Sequence, residues 1–204
     1  MFITFEGIDY SGKTTQAKLL VERLKQLGKE VIFLREPGGT AVSEKIREIL
    51  LDKQHLDISQ KAELFLFSAA RTQLVRQVIG PALERGKMVI CDRFYDSTTA
   101  YQGYGRGINL DEIRSINAIA TSGTRPDITF LVDIPVEEIE RRQREAGLTA
   151  DRMESSGRSF YKKVREGYLA LAKDEPKRIV ILDGMRSRDE IHKEIYNIIQ
   201  KMLR

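Results

Sequence analysis

Three observations predict an α/β fold, a three-layer sandwich in which a five-stranded parallel sheet is flanked by helices. Five short apolar runs punctuate the 204 residues, each rich in β-branched or aromatic side chains. The runs are nearly continuous rather than alternating, as expected of strands covered on both faces. The stretches between them repeat apolar residues at three- and four-residue steps, so strands and helices alternate along the chain. Five strands are too few for a closed eight-stranded barrel, which leaves an open sheet.

The runs are MFITFE (1–6), EVIFLR (30–35), KMVICD (87–92), DITFLVD (127–133) and RIVILD (178–183). After the first, TTQAKLLVERLKQLG sets Ala17, Leu20, Leu24 and Leu27 on one helical face, and Gly28 stops it. AELFLFSAARTQLVRQVIGPALERG reads as a helix with a break or kink at Gly80–Pro81. LDEIRSINAIATSG is a further helix, and SRDEIHKEIYNIIQKML opens on Ser187 with Glu190 three residues on, a capping box. No internal repeat, low-complexity tract or linker is evident, so residues 1–204 are expected to form one domain.

Composition narrows the partners. Thirty-four bases against 30 acids give a net charge of +4, which favours anionic ligands weakly and leaves both nucleic acid and free nucleotides open. A lone cysteine, Cys91 in the apolar run MVIC, fits a small buried strand residue in a reducing compartment. No apolar run approaches the roughly 18 residues of a membrane span. Glu6 and Asp9 near the start exclude a basic-then-apolar leader pattern. A cytoplasmic protein without membrane attachment is expected.

The sharpest signal is GIDYSGKT, Gly7 to Thr14, which matches G-x-x-x-x-G-K-[ST] between an apolar strand and an amphipathic helix. Such a P-loop wraps backbone N–H groups around phosphates and needs glycine where a side chain would clash or φ is positive. Lys13 supplies a point charge at the β/γ oxygens, and the following helix aims its N-terminal dipole at the anion. Gly7, Ile8, Asp9, Tyr10, Ser11, Gly12, Lys13, Thr14 and Thr15 are therefore candidate ATP contacts, with Thr14 a candidate Mg²⁺ ligand. Guanine-specific GTPases also need an N-K-x-D reader, and no Asn-Lys pair occurs here.

Two further stretches point to a phosphorylated acceptor. LREPGGT (34–40) follows the second strand, at the carboxyl edge where open α/β sheets bind ligands. VICDRFYDSTTAYQGYGRG (89–107) gathers polar groups at the end of the third. Asp92 there fits a Walker-B-like carboxylate serving Mg²⁺, and Arg93 a bidentate phosphate fork. Between 141 and 165 eight bases (Arg141, Arg142, Arg144, Arg152, Arg158, Lys162, Lys163, Arg165) outnumber three acids (Glu145, Asp151, Glu154). A basic lid and a solvated helix with charges matched to its dipole look alike at this level.

FEGIDYSGKTTQ, REPGGT, ELFLFSAAR, DRFYDSTTAYQG and RRQREAGLTADRME occur in the order and spacing of thymidylate kinases. The chain resembles that family from its first strand to the C-terminal ILDG, essentially over its whole length. The resemblance implies a P-loop, nucleoside-monophosphate-kinase-like fold with a lid at about 141–156. It implies transfer of the ATP γ-phosphoryl group to dTMP, with Mg²⁺, in a homodimer. It also implies roles. Phe67 would stack on the thymine face, and Arg71, one helical turn on, would hydrogen-bond its edge. Thr98 and Gln102 would contact the base beside Ser97, and Tyr101 would exclude a ribose 2′-hydroxyl. Arg47 and Arg93 would grip the dTMP phosphate. Glu36 and Asp9 would lie near the acceptor sugar, phosphate and metal, with Pro37 where the family often has a cis peptide. The adenine would lie between the Arg141 region and the loop around Asp183–Met185.

The acceptor phosphate is ionised at neutral pH, so no general base is needed. Catalysis is expected to be electrostatic, from Lys13, Arg93, Mg²⁺ and a lid arginine, with Asp9 and Asp92 arranging acceptor and metal. Tyr10 sharpens this. One branch of the family places an arginine at this loop position, whereas the other leaves it neutral and supplies the cation from the lid. Tyr10 together with Arg152 in ADRME places this chain in the second branch and marks Arg152 as catalytic. Two other readings compete: a kinase for another nucleoside monophosphate, and a non-enzymatic basic P-loop protein binding nucleic acid. The Phe67/Arg71 pair and Tyr101 argue against the first, and the concentration of bases in one lid-like segment argues against the second.

Overall fold

In the computed structural model the described residues are 1–147, 152–153 and 157–203. The five apolar runs form β1 (Phe2–Glu6), β2 (Val31–Arg35), β3 (Met88–Asp92), β4 (Ile128–Asp133) and β5 (Ile179–Asp183), paired in parallel in the order β2-β3-β1-β4-β5. β1 is central and all five of its residues are buried. That is why it reads FITFE without alternation: both its faces meet helices.

One face takes Ile3, Phe5, Ile90, Phe130 and Val132 against Ala17, Leu20 and Leu24 of α1 (Lys13–Gln26) and Ile191, Ile195 and Ile199 of α9 (Arg188–Met202). The expected α9 capping box is present, with Ser187 and Glu190 exchanging hydrogen bonds. On the other face Phe2, Val89, Cys91 and Phe94 pack on Leu74 of α3 (Gln60–Leu74) and on Ile79. Leu131 and Ile179 pack there on Val164 and Tyr168 of α8 (Arg158–Asp174). Burying each of these leucine or isoleucine side chains stabilises the fold by about 1.5–3 kcal/mol.

Between β2 and β3 lie α2 (Ala41–Leu51), α3 and α4 (Gly80–Glu84). Of the break or kink expected at Gly80–Pro81, the break does not occur. Residues 75–79 instead wind as a π-helix, and Gly80 donates its N–H to Val75 O. The wider turn carries the helical path past the proline, which has no N–H to give. Residues 95–105, after β3, are likewise helical rather than open loop: α5 (Tyr95–Thr98) followed by a π-helical stretch, 99–105. α6 (Leu110–Thr121) precedes β4, and α7 (Glu137–Ala146) follows it.

Sheet order decides where chemistry can happen. β1 and β3 are neighbours in register, Phe5 beside Asp92, so Gly7 and Arg93 leave adjacent strand ends. Arg93 N donates to Phe5 O at 2.9 Å, and Glu36 N at the end of β2 donates to Asp92 O at 3.0 Å. The three stretches singled out in sequence thus converge on one edge. Of the expected lid at 141–156, residues 148–151 and 154–156, including Asp151 and Glu154, lie outside the described residues.

Candidate active site

The P-loop is shaped by backbone. Gly7 has φ +141°, and a Cβ there would lie 2.4 Å from Val132 O, so β4 approaches too closely for any side chain. Gly12, at φ +94°, turns the chain into α1, whose first residue is Lys13. Tyr10 also adopts positive φ, +62°, an uncommon conformation for a bulky residue. Ile8 and Ser11 are buried beneath the loop. Lys13 Nζ stands 3.9 Å from Asp9 Oδ1. Burial, and then the neighbouring Arg93 charge, push the Lys13 pKa down.

Thr14 donates a hydrogen bond to Asp92 Oδ2. The other oxygen, Asp92 Oδ1, is buried and has no hydrogen-bond partner among the described residues. A buried, half-satisfied carboxylate beside a P-loop threonine suits a hard divalent cation that completes its shell with water and substrate phosphate. Among the described residues no group of three His, Cys, Asp or Glu could hold a metal unaided. Thr14 and Asp92 thus fit a Mg²⁺ ion that would draw its remaining ligands from water and nucleotide.

A cavity of about 530 Å³ opens beside this loop. Its walls include Tyr10, Gly12, Lys13, Thr14, Thr15 and Asp92 at the phosphate end. All eleven residues expected at the acceptor also line it: Asp9, Glu36, Pro37, Arg47, Phe67, Arg71, Arg93, Ser97, Thr98, Tyr101 and Gln102. The Glu36–Pro37 peptide is cis, and Arg47 Nη1 donates to Pro37 O at 3.2 Å. Phe67 is half-buried and forms cavity wall rather than closed core.

Two arginines, Arg71 buried and Arg93 half-buried, organise the acceptor end. Arg71, 2% exposed, donates from Nε to Glu36 Oε2 (2.7 Å), from Nη1 to Thr98 Oγ1 (2.9 Å) and from Nη2 to Phe94 O (3.2 Å). Burial raises the Glu36 pKa to about 6 although Arg71 opposes it. Arg93, at φ +70°, is held over the P-loop. Its Nη1 donates to Gly7 O at 3.0 Å, and its Nη2 pairs closely with Asp9 Oδ1 and reaches Tyr101 Oη at 3.0 Å. Burial alone would raise the Asp9 pKa. Arg93 and Lys13, with the hydroxyls of Tyr161 and Tyr101, outweigh it and hold Asp9 at about 2. The carboxylate is therefore ionised throughout the physiological range.

Two expected residues stand elsewhere. Arg141 lies on the solvent side of α7, paired with Glu138 and Glu145 at 2.6 Å each. Its neighbour Arg142 is the one that reaches the loop, donating to Tyr10 O and Ser11 O at 3.3 Å each and to Gly184 O at 2.8 Å. One helical residue is a 100° rotation, so a single step along α7 exchanges solvent for site. Arg152 is buried on the acceptor side. Its Nε donates to Leu50 O at 2.6 Å and its Nη2 pairs with Glu63 Oε2 at 2.7 Å. The structure joins Lys13, Asp9 and Arg93 and leaves Arg152 apart from them.

Comparison with known proteins agrees with this geometry. The thymidylate kinase family model matches residues 5–195. This chain belongs to the thymidylate kinase family. A thymidylate kinase of Caldanaerobacter subterraneus subsp. tengcongensis is 52% identical over 204 residues, covering 100% of this chain and 96% of that one. One from Chlorobaculum parvum is 51% identical over 210 residues, covering 99% and 96%. A crystal structure of thymidylate kinase from Ehrlichia chaffeensis superposes with TM-score 0.80 at 37% identity, over 98% of each chain. Thymidylate kinases are phosphotransferases acting on dTMP, and the five-stranded parallel sheet is their P-loop kinase fold.

Within this thymidylate kinase fold, sequence reasoning missed the residues that support the site from behind. Glu6 is wholly buried and accepts from Phe94 N (2.7 Å), Ser97 Oγ (2.6 Å) and Tyr168 Oη (2.8 Å). Glu63 accepts from Gln102 Nε2 (3.0 Å) and Arg106 Nε (3.1 Å) besides pairing with Arg152. A charge ending an otherwise apolar strand was the available signal for Glu6. For Glu63, at the exposed-looking start of α3, sequence offers none.

Proposed function

We propose that this chain moves the γ-phosphoryl group of ATP to dTMP, giving ADP and dTDP, with ATP phosphates at the P-loop end of the cavity and thymine at the Phe67/Arg71 end. The observation that carries the reading is the Arg93–Asp9 pair. It lies where the P-loop and the acceptor wall meet, so one guanidinium serves both phosphates.

On this reading Lys13 and the amides of residues 7–15 hold the β- and γ-phosphates. Arg142 takes the nucleotide-side role first expected of Arg141. Thr14 and Asp92 would hold Mg²⁺, which would supply positive charge against the phosphates. Arg47 and Arg93 hold the dTMP phosphate in line, and Asp9 fixes Arg93. Phe67 stacks on thymine, with Arg71, Thr98, Gln102 and Ser97 at the base end and Glu36–Pro37 at the sugar and phosphate. The Tyr101 ring, over which the Arg93 guanidinium sits at 4.9 Å, would exclude a hydroxyl at the sugar's 2′ position. Placement and fixed charge do the work, as phosphoryl transfer requires. Arg152 completes the charge once it leaves Glu63.

The chain is read as one cytoplasmic kinase domain, supported by one continuous sheet drawing strands from Phe2 to Asp183 and by a single buried thiol. No helix among the described residues is long and apolar enough to cross a membrane. Phe65 on α3 and Ile119 on α6, 58% and 75% exposed, support a homodimer through that layer. Sedimentation at twice the chain mass is expected, and a monomer at micromolar concentration would exclude it.

A coupled assay for ADP tests the function. Turnover should require dTMP; equal turnover with another monophosphate, or none with any, would refute it.

A further inference from the structure

α8 carries two tyrosines seven residues apart, Tyr161 and Tyr168, 3% and 2% exposed. Two helical turns put them on one face, and each hydroxyl reaches a charged group of the site from behind. Neither lines the cavity. Tyr161 Oη donates to Asp9 Oδ2 at 2.7 Å. Tyr168 Oη donates to Glu6 Oε2 at 2.8 Å, accepts from Arg93 Nη1 at 3.1 Å, and lies 2.8 Å from Ser97 Oγ.

Arg93 is a long side chain on a left-handed backbone, and its own strand supplies little to aim it. Its Nη1 shares two hydrogens among three acceptors: Gly7 O, Ser97 Oγ and Tyr168 Oη. Of the last two, Ser97 Oγ is itself a rotor and gives its proton to Glu6 at 2.6 Å. The tyrosine hydroxyl is the rigid one. Its ring is wedged edge-on against Tyr101, centroids 6.3 Å apart and planes at 79°. Burial raises the Tyr168 pKa well above its ordinary value, so the hydroxyl keeps its proton for Glu6 and offers its lone pair to Arg93. Glu6 in turn holds Phe94 N. The helix, the end of β1 and the loop after β3 are thereby locked to a single guanidinium.

α8 also docks unusually closely. A Cβ on Gly105 would sit 2.6 Å from the Phe160 ring, and one on Gly167 would sit 2.7 Å from Tyr104. Small residues on both sides let the helix approach near enough for phenol-length side chains to reach under the P-loop.

We propose that Tyr168 and Tyr161 are positioning residues for phosphoryl transfer, Tyr168 acting through Arg93 and Tyr161 through Asp9. The inference rests on the roles given above to Arg93 and Asp9.

Double-mutant cycles on the full-length enzyme test it. Tyr168→Phe keeps the ring contacts and removes only the hydroxyl. It should lower kcat/KM for dTMP about tenfold, the size of coupling typical of residues in one hydrogen-bonded network. The same substitution made in an Arg93→Ala background should cost less than about twofold, because nothing remains to position. A purely structural role predicts equal losses in both backgrounds and would overturn the proposal, as would no loss in the first. Tyr161→Phe with Asp9→Asn forms a second cycle with the same expectation, and it decides the matter if Tyr168→Phe does not fold. The Arg93→Ala variant alone separates the two claims. If its loss appears in the KM for ATP and not for dTMP, the assignment of Arg93 to the acceptor phosphate fails. The Tyr168 cycle read on ATP then still shows whether the hydroxyl acts through Arg93.

Discussion

The two ends of the cavity are built from different materials. At the phosphate end the loop from Gly7 to Gly12 is shaped by glycine conformations and a helix N-terminus. At the acceptor end the walls are ionic: Arg71 on Glu36, Arg93 on Asp9, and Arg152 and Arg106 on Glu63, all wholly or largely buried. A triphosphate is the same in every kinase of this type, so a backbone cradle serves. A particular monophosphate must be told from its relatives. That takes side chains whose positions cannot drift, and buried pairs with several hydrogen bonds each provide them.

The comparison can be broken at either end. The largest effect is expected at the phosphate end, where Lys13→Ala should lower kcat by about 10²- to 10³-fold, the usual consequence of removing one preorganised charge from a transition state. Steady-state kinetics at saturating ATP and dTMP would show it, and a change confined to KM would mean that Lys13 only binds. Next is Arg152→Ala. If the side chain leaves Glu63 to complete the charge, kcat falls at least about tenfold while dTMP affinity is little changed. An unaltered kcat would assign the missing cation to another basic group of the same stretch, such as Arg144. The smallest effect concerns pH. Asp9 is held at about 2 against its ordinary 3.8, so it contributes stability fully present above the higher value and lost as pH falls toward the lower. The stability difference between wild type and Asp9→Asn, from denaturant titrations, should shrink by about 1 kcal/mol between pH 6 and pH 3. A constant difference would mean that Asp9 is not held by its cations.

The same division explains what was legible in the sequence. Strands and backbone devices follow local rules, so all five strands, the P-loop and the α9 capping box could be read from residue type and spacing. The residues expected at the acceptor, which line one cavity, were singled out because REPGGT and DRFYDSTTAYQG keep a recognisable order, not because any one side chain declares itself. What sequence did not give depends on tertiary direction. Arg141 and Arg142 are indistinguishable until the phase of α7 is fixed. Gly80–Pro81 looked like a break because spacing does not reveal a π turn. Tyr168 and Glu6 sit 162 residues apart, and only the sheet order makes them partners.

The central claim is that the two ends recognise their nucleotides separately, with Arg93 between them, and paired Michaelis constants test it most directly. Arg71→Ala should raise the KM for dTMP at least about tenfold and leave that for ATP within about twofold, because its guanidinium is enclosed by Glu36, Thr98 and Phe94 at the acceptor end. Arg142→Ala, against the carbonyls of Tyr10, Ser11 and Gly184, should do the reverse. Equal effects of either substitution on both constants would contradict the account.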